Sequence, residues 1–200
     1  MFPIAAIILA AGRSTRIGSA KQLIRLGDQP LLGHVIRTVR QAGLDDIVLV
    51  LGSAADEIVK DIAPEGVRVR INAAYAEGMA TSVRAGVEEL GSECKAALIF
   101  LADQPMILSS TVTNLIAKYQ ELRPTAVIPT YRGQRGNPVL LDRSLFSKAI
   151  ALQGDEGFRG ILQGLPNVLC VEVDDPGVLI DIDTAEDLER CEALYRARIV

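Results

Sequence analysis

The sequence predicts a three-layer α/β fold: a mostly parallel central sheet covered by helices on both faces, with a small insertion over the sheet in its second half. Two observations carry this expectation. Through residue 129, short runs rich in Ile, Val and Leu alternate with segments of helical period, and strands that alternate with helices build a parallel sheet through right-handed crossovers. From residue 130 the rhythm breaks into two Gly-studded segments, "YRGQRGNPVLL" and "LQGDEGFRGILQGL".

The elements follow in order. "IAAIILA" (4–10) is the first strand. A helix is expected over 30–42, because Pro30 suits a first helical turn and Leu31, Leu32, Val35, Ile36 and Val39 form one apolar stripe that ends at Ala42-Gly43. Next come the strand "IVLVL" (47–51), a helix over 56–62, the strand "VRVRI" (67–71) and a helix over 81–90 with Thr81 or Ser82 available as its N-cap. The strand "AALIFL" (96–101) precedes a helix over 110–120, capped by Ser109 or Ser110, in which Val112, Leu115, Ile116 and Tyr119 share a face; "TAVIP" (125–129) is the next strand. The insertion reads as a Gly-rich turn into a strand, then a loop and helix. Two more strand-like runs, "NVLCVEV" and "VLIDI", lead to a last helix opened by Thr184-x-x-Asp187, a capping box with Asp in place of Glu, after which Leu188, Cys191 and Leu194 recur. With no repeat, linker or low-complexity stretch, residues 1–200 are expected to form one domain.

Composition narrows the function. The net charge of −4 gives no attraction for polyanions, so nucleic acid is not an expected partner. Cys94, Cys170 and Cys191 are widely spaced and form no C-x-x-C pair, which suits structural thiols in a reducing cytoplasm. "IAAIILAA" has no basic region before it and falls far short of the ~20 apolar residues of a membrane span, so a soluble cytoplasmic protein without a membrane partner is expected. His34 is the only histidine, and its place on a helix suggests packing or solvent rather than a Ser-His-Asp or Cys-His system.

The chemistry concentrates in "LAAGRSTRIGSAKQ" (9–22). It is not a Walker A loop, because five residues separate Gly12 from Gly18, and Ser14 stands where a dinucleotide fingerprint needs its second Gly. A loop leaving the first strand still offers backbone N–H groups to an anion, and Arg13, Arg16 and Lys21 supply the charge that a nucleoside triphosphate needs once Mg²⁺ is added. Asp103, just beyond "AALIFL", suits Mg²⁺, with Pro105 stiffening its turn. A second carboxylate comes from Asp181 or Asp183, which would share one face of a strand with Ile182 pointing the other way.

These residues resemble the signature L-A-A-G-x-S-x-R-x-G-x-x-K-Q of the molybdenum-cofactor nucleotidyltransferases, in the MobA-like branch of that fold. The resemblance continues through "NAAYAEGMATSVRAG", "LADQP", "GQRGNPVLL", "GDEGFRG" and "DIDTAEDL", nearly the whole chain in order. It implies a Rossmann-like nucleotidyltransferase fold and transfer of CMP from CTP to the phosphate of molybdenum-molybdopterin cofactor, with Mg²⁺ and release of pyrophosphate. A molybdoenzyme or its chaperone is an implied further partner. Ala11, where the guanylyl branch usually carries Gly, favours CTP. GTP, another acceptor such as a sugar 1-phosphate, and a non-catalytic nucleotide-binding module remain the alternatives.

The resemblance also implies roles. Leu9, Ala10, Ala11, Gly12, Arg13, Ser14 and Lys21 would hold the nucleotide, with Asn72, Gly78 and Ser82 along its ribose and base. Arg16, Lys21 and Asp103 would be catalytic, and Asp103 would bind metal with a second ligand for which alignment on the following helix favours Asp183. Gly133, Gly136, Asn137 and Pro138 match G-x-x-G-H-P with Asn in place of His, and Asn cannot carry a proton near pH 7. Asn137, Asp155 and Arg159 would face the acceptor. An attacking phosphate is already anionic near neutral pH, so the chemistry needs positioning and fixed positive charge rather than a general base.

Overall fold

A computed structural model describes residues 3–12, 20–62, 65–155, 158–162 and 164–199, with the side chains of Phe158, Arg159 and Ile199 outside that description. The elements in chain order are β1 (Ile4–Ala10), a 3₁₀ turn (Lys21–Leu23), β2 (Arg25–Leu26), β3 (Gln29–Pro30), α1 (Leu31–Gln41), β4 (Ile47–Leu51), α2 (Ala55–Ile62), β5 (Arg68–Ile71), α3 (Met79–Glu88) and β6 (Ala96–Leu101). They continue with α4 (Ser109–Leu122), β7 (Ala126–Tyr131), β8 (Gln134–Arg135), β9 (Val139–Asp142), α5 (Phe146–Ile150), α6 (Phe158–Leu162), β10 (Val168–Glu172), a 3₁₀ turn (Pro176–Leu179) and α7 (Ala185–Ile199).

The central sheet runs β10-β7-β9-β6-β1-β4-β5, with β8 paired to β7. Among its described strands, only β9 and the short β8 run against the rest. The reversal has a local cause: the chain leaves β7 through a tight turn at Gly133 (φ 77°) and returns at once, and a connection that short joins only antiparallel strands.

β1 sets the layers. Ile4, Ala6, Ile8 and Ala10 join one apolar cluster with residues of α1, α2 and α4, whereas Ala5, Ile7 and Leu9 join a second cluster with α3 and α5 on the opposite face. Residues of one strand alternate between faces, so a strand covered on both sides must be apolar throughout. All seven residues of β1 are buried. A third, smaller cluster holds Leu26, Leu31, Met106, Ile182 and Cys191, with Leu188 and Tyr195 against it.

Several boundaries depart from expectation. Pro30 is the N-cap of α1 rather than its first residue. α3 begins at Met79 after Gly78, so neither Thr81 nor Ser82 is its N-cap. α4 begins at Ser109 with Leu108 as N-cap, and no serine caps it; instead Asp175 accepts from the Leu108 N–H (2.9 Å) and the Thr111 hydroxyl (2.8 Å). "VLIDI" is not a strand. Its first residues belong to the 3₁₀ turn, and Ile182 donates its N–H to the Asp103 carbonyl (3.0 Å) instead of joining the sheet.

The last helix opens as expected. Asp187 Oδ2 accepts from the Thr184 N–H (2.9 Å) while Thr184 Oγ1 accepts from the Asp187 N–H (3.1 Å). Of the expected stripe on α7, Leu194 is exposed and Cys191 is buried. Cys94 is also buried, Cys170 is exposed on β10, and all three thiols are free. No described helix is long and apolar enough to cross a membrane.

Candidate active site

A cleft of about 610 Å³ opens at the carboxyl ends of β1 and β6, where loops leaving parallel strands offer their backbone to ligands. Leu9, Ala10, Ala11 and Gly12 line it at the exit of β1, and Asp103 at the exit of β6. Lys21, Gly78, Ser82, Asp155 and Asp183 complete the group of expected residues that the fold brings together there. Arg13, Ser14, Arg16 and Gly18 lie outside the described residues, as does the side chain of Arg159.

Lys21 is the centre of the described charge. Its Nζ donates to Asp103 Oδ2 (2.9 Å) and Asp183 Oδ1 (2.7 Å). Burial lowers the pKa of this ammonium, but the charges and hydrogen bonds of the two carboxylates outweigh it and hold the pKa above its ordinary value. The 3₁₀ turn that presents Lys21 is tied to the sheet by Gln22, whose buried amide donates to the Ala10 carbonyl (2.7 Å). Of Asp181 and Asp183, it is Asp183 that lines the cleft. Asp181 lies outside the lining; burial first, and then the charges of Asp183 and Asp103, push its carboxyl up.

The carboxylate pair fits a divalent cation. Asp103 Oδ1 is buried and has no hydrogen-bond partner among the described residues, an orphan of the kind a metal ion satisfies. Among the described residues no three His, Cys, Asp or Glu side chains gather as a metal cage. Two carboxylates suit Mg²⁺, which takes one or two from a protein and completes its octahedron with water and substrate phosphate oxygens.

The opposite wall is built around α3. Gly78 adopts φ +120°, and a Cβ there would collide with the Gly154 carbonyl, so the position requires glycine. The first N–H groups of α3 are already engaged: Met79 donates to Asp155 Oδ1 (3.3 Å) and Ala80 to the Gly154 carbonyl (3.1 Å). Asp155 thus stands on this wall. Asn72 does not line the cleft; its amide donates to Thr81 Oγ1 (2.8 Å) and Ser82 Oγ (3.0 Å), bracing the helix that presents Ser82.

Asn137 also lies outside the lining, where its N–H donates to the Val178 carbonyl (3.0 Å). His34 is buried, with Nε2 2.7 Å from the Leu26 carbonyl, and burial lowers its pKa, leaving it a neutral packing residue.

Sequence reasoning missed Tyr75 and Met79, which line the cleft, and Gly52, where a Cβ would approach the Ala11 carbonyl to 2.8 Å. Only Gly52, a glycine directly after a strand, left a readable signal.

The profile of the MobA-like NTP transferase domain matches residues 6–169. The chain belongs to the MobA-like NTP transferase family. Its relatives include molybdenum cofactor cytidylyltransferase of Escherichia coli, 28% identical over 98% of both chains. Nicotine blue oxidoreductase of Paenarthrobacter nicotinovorans is 27% identical over 94% of this chain and 95% of that one. Bifunctional protein GlmU of Trichlorobacter lovleyi is 35% identical over 58% of this chain, and the match spans 25% of GlmU.

Among solved structures, Rv0371c of Mycobacterium tuberculosis superposes with a TM-score of 0.87 at 30% identity, over 96% of this chain and 98% of that one. A manganese complex of Rv0371c superposes with a TM-score of 0.81 at 27% identity, over 96% and 98%. This MobA-like chain therefore shares its fold with that protein over nearly its whole length. The family match ends at residue 169, so Asp183 lies beyond it.

Proposed function

We propose that this MobA-like chain transfers CMP from CTP to the phosphate of a molybdopterin-type cofactor and releases pyrophosphate, as one cytoplasmic domain over residues 1–200. The observation that carries the reading is the convergence of Asp103 and Asp183 on Lys21 in the cleft beside Ala11 and Gly12. The cytidylyltransferase relative, similar over nearly its full length, supports the choice of substrates.

In this reading Lys21, with Arg13 and Arg16 of the same loop, holds the triphosphate. Asp103 and Asp183 would hold Mg²⁺, which when bound supplies charge neutralisation on the phosphate oxygens. Gly78 and Ser82 would face the nucleoside, and Asp155, on the same wall, the acceptor. An oxygen of the acceptor phosphate attacks the α-phosphorus in line, a new P–O bond forms, and the bond to the β-phosphate breaks as pyrophosphate leaves. The nucleophile is already ionised, so no side chain has to take a proton, in keeping with a buried neutral His34.

The test is pyrophosphate release with CTP, GTP, ATP and UTP, each with molybdopterin-type cofactor or a sugar phosphate. Release with CTP and the cofactor is expected. Release only with a sugar phosphate, or only with GTP, overturns the assignment of that substrate.

A second reading, redox chemistry, is favoured by the nicotine blue oxidoreductase relative. Against it, Ser14 breaks the dinucleotide fingerprint. Nicotinamide cofactor consumption without pyrophosphate release would establish it.

A further inference from the structure

Asp175 is a carboxylate that the proposed chemistry does not use, yet it is 1% exposed. Burying an ionised group is unfavourable unless donors and a countercharge surround it. Here Oδ2 accepts from the Leu108 N–H (2.9 Å) and Thr111 Oγ1 (2.8 Å), and Oδ1 accepts from the Gly177 N–H (3.0 Å). The countercharge comes from the last turn of α7: Arg198 Nη2 lies 3.5 Å from Asp175 Oδ1, and its Nη1 donates to the Met106 carbonyl (2.6 Å).

Met106 lies three residues beyond Asp103, in the segment of turns that leads from β6 to α4. Its carbonyl is boxed in from two sides, by Arg198 and by the backbone of Gly177, where a Cβ would collide with that oxygen. The Asp103 carbonyl in turn accepts from the Ile182 N–H (3.0 Å), next to Asp183. The two segments that carry the carboxylates are thus joined at both ends, and Arg198 is the side chain that spans the outer joint.

We propose that Arg198 is a positioning residue for the Asp103 carboxylate, acting through the Met106 carbonyl and Asp175. The proposal rests on the reading that Asp103 and Asp183 hold a divalent cation. Removing the guanidinium leaves Asp175 without its countercharge and frees the Met106 carbonyl, so the turn shifts and the carboxylates no longer meet one ion. Residues that orient metal ligands typically alter affinity by about 10- to 100-fold when replaced.

The experiment titrates Mn²⁺ by electron paramagnetic resonance into the full chain, with thermal unfolding recorded beside it. Arg198→Met is expected to weaken Mn²⁺ binding at least about tenfold. Arg198→Lys, which offers one donor head in place of a fork, is expected to fall between it and wild type. Arg196→Met, on the same helix turn but paired only with Glu192 (2.9 Å) among the contacts described, should bind Mn²⁺ as wild type does. Wild-type Mn²⁺ affinity in a folded Arg198→Met, or a loss confined to thermal stability, overturns the proposal. Should Arg198→Met fail to fold, Arg198→Lys decides by the same criterion. The underlying reading fails separately, if Asp103→Asn binds Mn²⁺ as wild type does.

Discussion

The Lys21 ammonium donates a 2.7 Å hydrogen bond to the Asp183 carboxylate across 162 residues of sequence. This pairing closes the circle between the loop after β1 and the segment before α7, with Asp103 on the other side of the same nitrogen. Removing preorganised charge from a transfer site typically lowers turnover by about 10²–10³-fold. Lys21→Met should lower the rate of pyrophosphate release by that much while the far-ultraviolet circular dichroism stays that of wild type.

The two acidic positions near α7 should separate cleanly. Asp183→Asn is expected to abolish Mn²⁺ binding as Asp103→Asn does, because both carboxylates face the cleft. Asp181→Asn, outside the lining, should weaken it less than Asp183→Asn does. Equal losses at Asp181 and Asp183 in an equilibrium titration would reassign the second ligand.

Asn72 makes a prediction about stability rather than chemistry. Its side chain accepts from the Ala74 N–H (3.0 Å) and donates to Thr81 and Ser82. Asn72→Ala leaves these partly buried partners unmatched, a loss of about 1–3 kcal/mol. Urea denaturation should show a lower midpoint with an unchanged slope.

Acid sensitivity should trace in part to Asp142. Burial would raise its carboxyl, but hydrogen bonds from Ser144 and Tyr119 outweigh this and hold its pKa below the ordinary value. A carboxyl with a depressed folded pKa contributes stability that is present above its unfolded pKa of about 3.9 and is lost as pH falls through the folded value. Wild type should therefore lose stability more steeply than Asp142→Asn below about pH 4, read from denaturation midpoints across that range.

Gly78→Ala should be among the most damaging single changes. The φ of +120° strains any L side chain, and the added carbon meets the Gly154 backbone. A lower melting temperature and a higher KM for the nucleotide are expected together, because Gly154 and Asp155 would be pushed off the wall.

What was legible in the sequence had local causes. The runs of β1, β4 and β6 are short and apolar throughout, as strands covered on both faces must be, and Thr184 and Asp187 cap each other within one turn. Lys21 and Asp103 were readable together because the loops after β1 and β6 leave the same edge of a parallel sheet, whereas Asp183, on no strand, was favoured over Asp181 only by the resemblance aligned on the following helix. The cap of α4 was illegible, because Asp175 reaches Leu108 from 67 residues away. "VLIDI" misled because a short apolar run suits a strand, whereas Ile182 is buried in the third cluster beside Met106 and Cys191. Asn72 and Asn137 illustrate a further limit: neither lines the cleft, one bracing α3 and the other bonded to Val178.

The division of the carboxylates between Asp103, inside residues 6–169, and Asp183, beyond them, has an evolutionary consequence. A match over residues 6–169 does not by itself carry Asp183. In the proposed reading, a relative that kept the matched block and lost Asp183 would keep the sheet and lose one of the two carboxylates paired with Lys21. Divergent activities among relatives of this architecture are then to be sought in the last thirty residues as much as in the loop after β1.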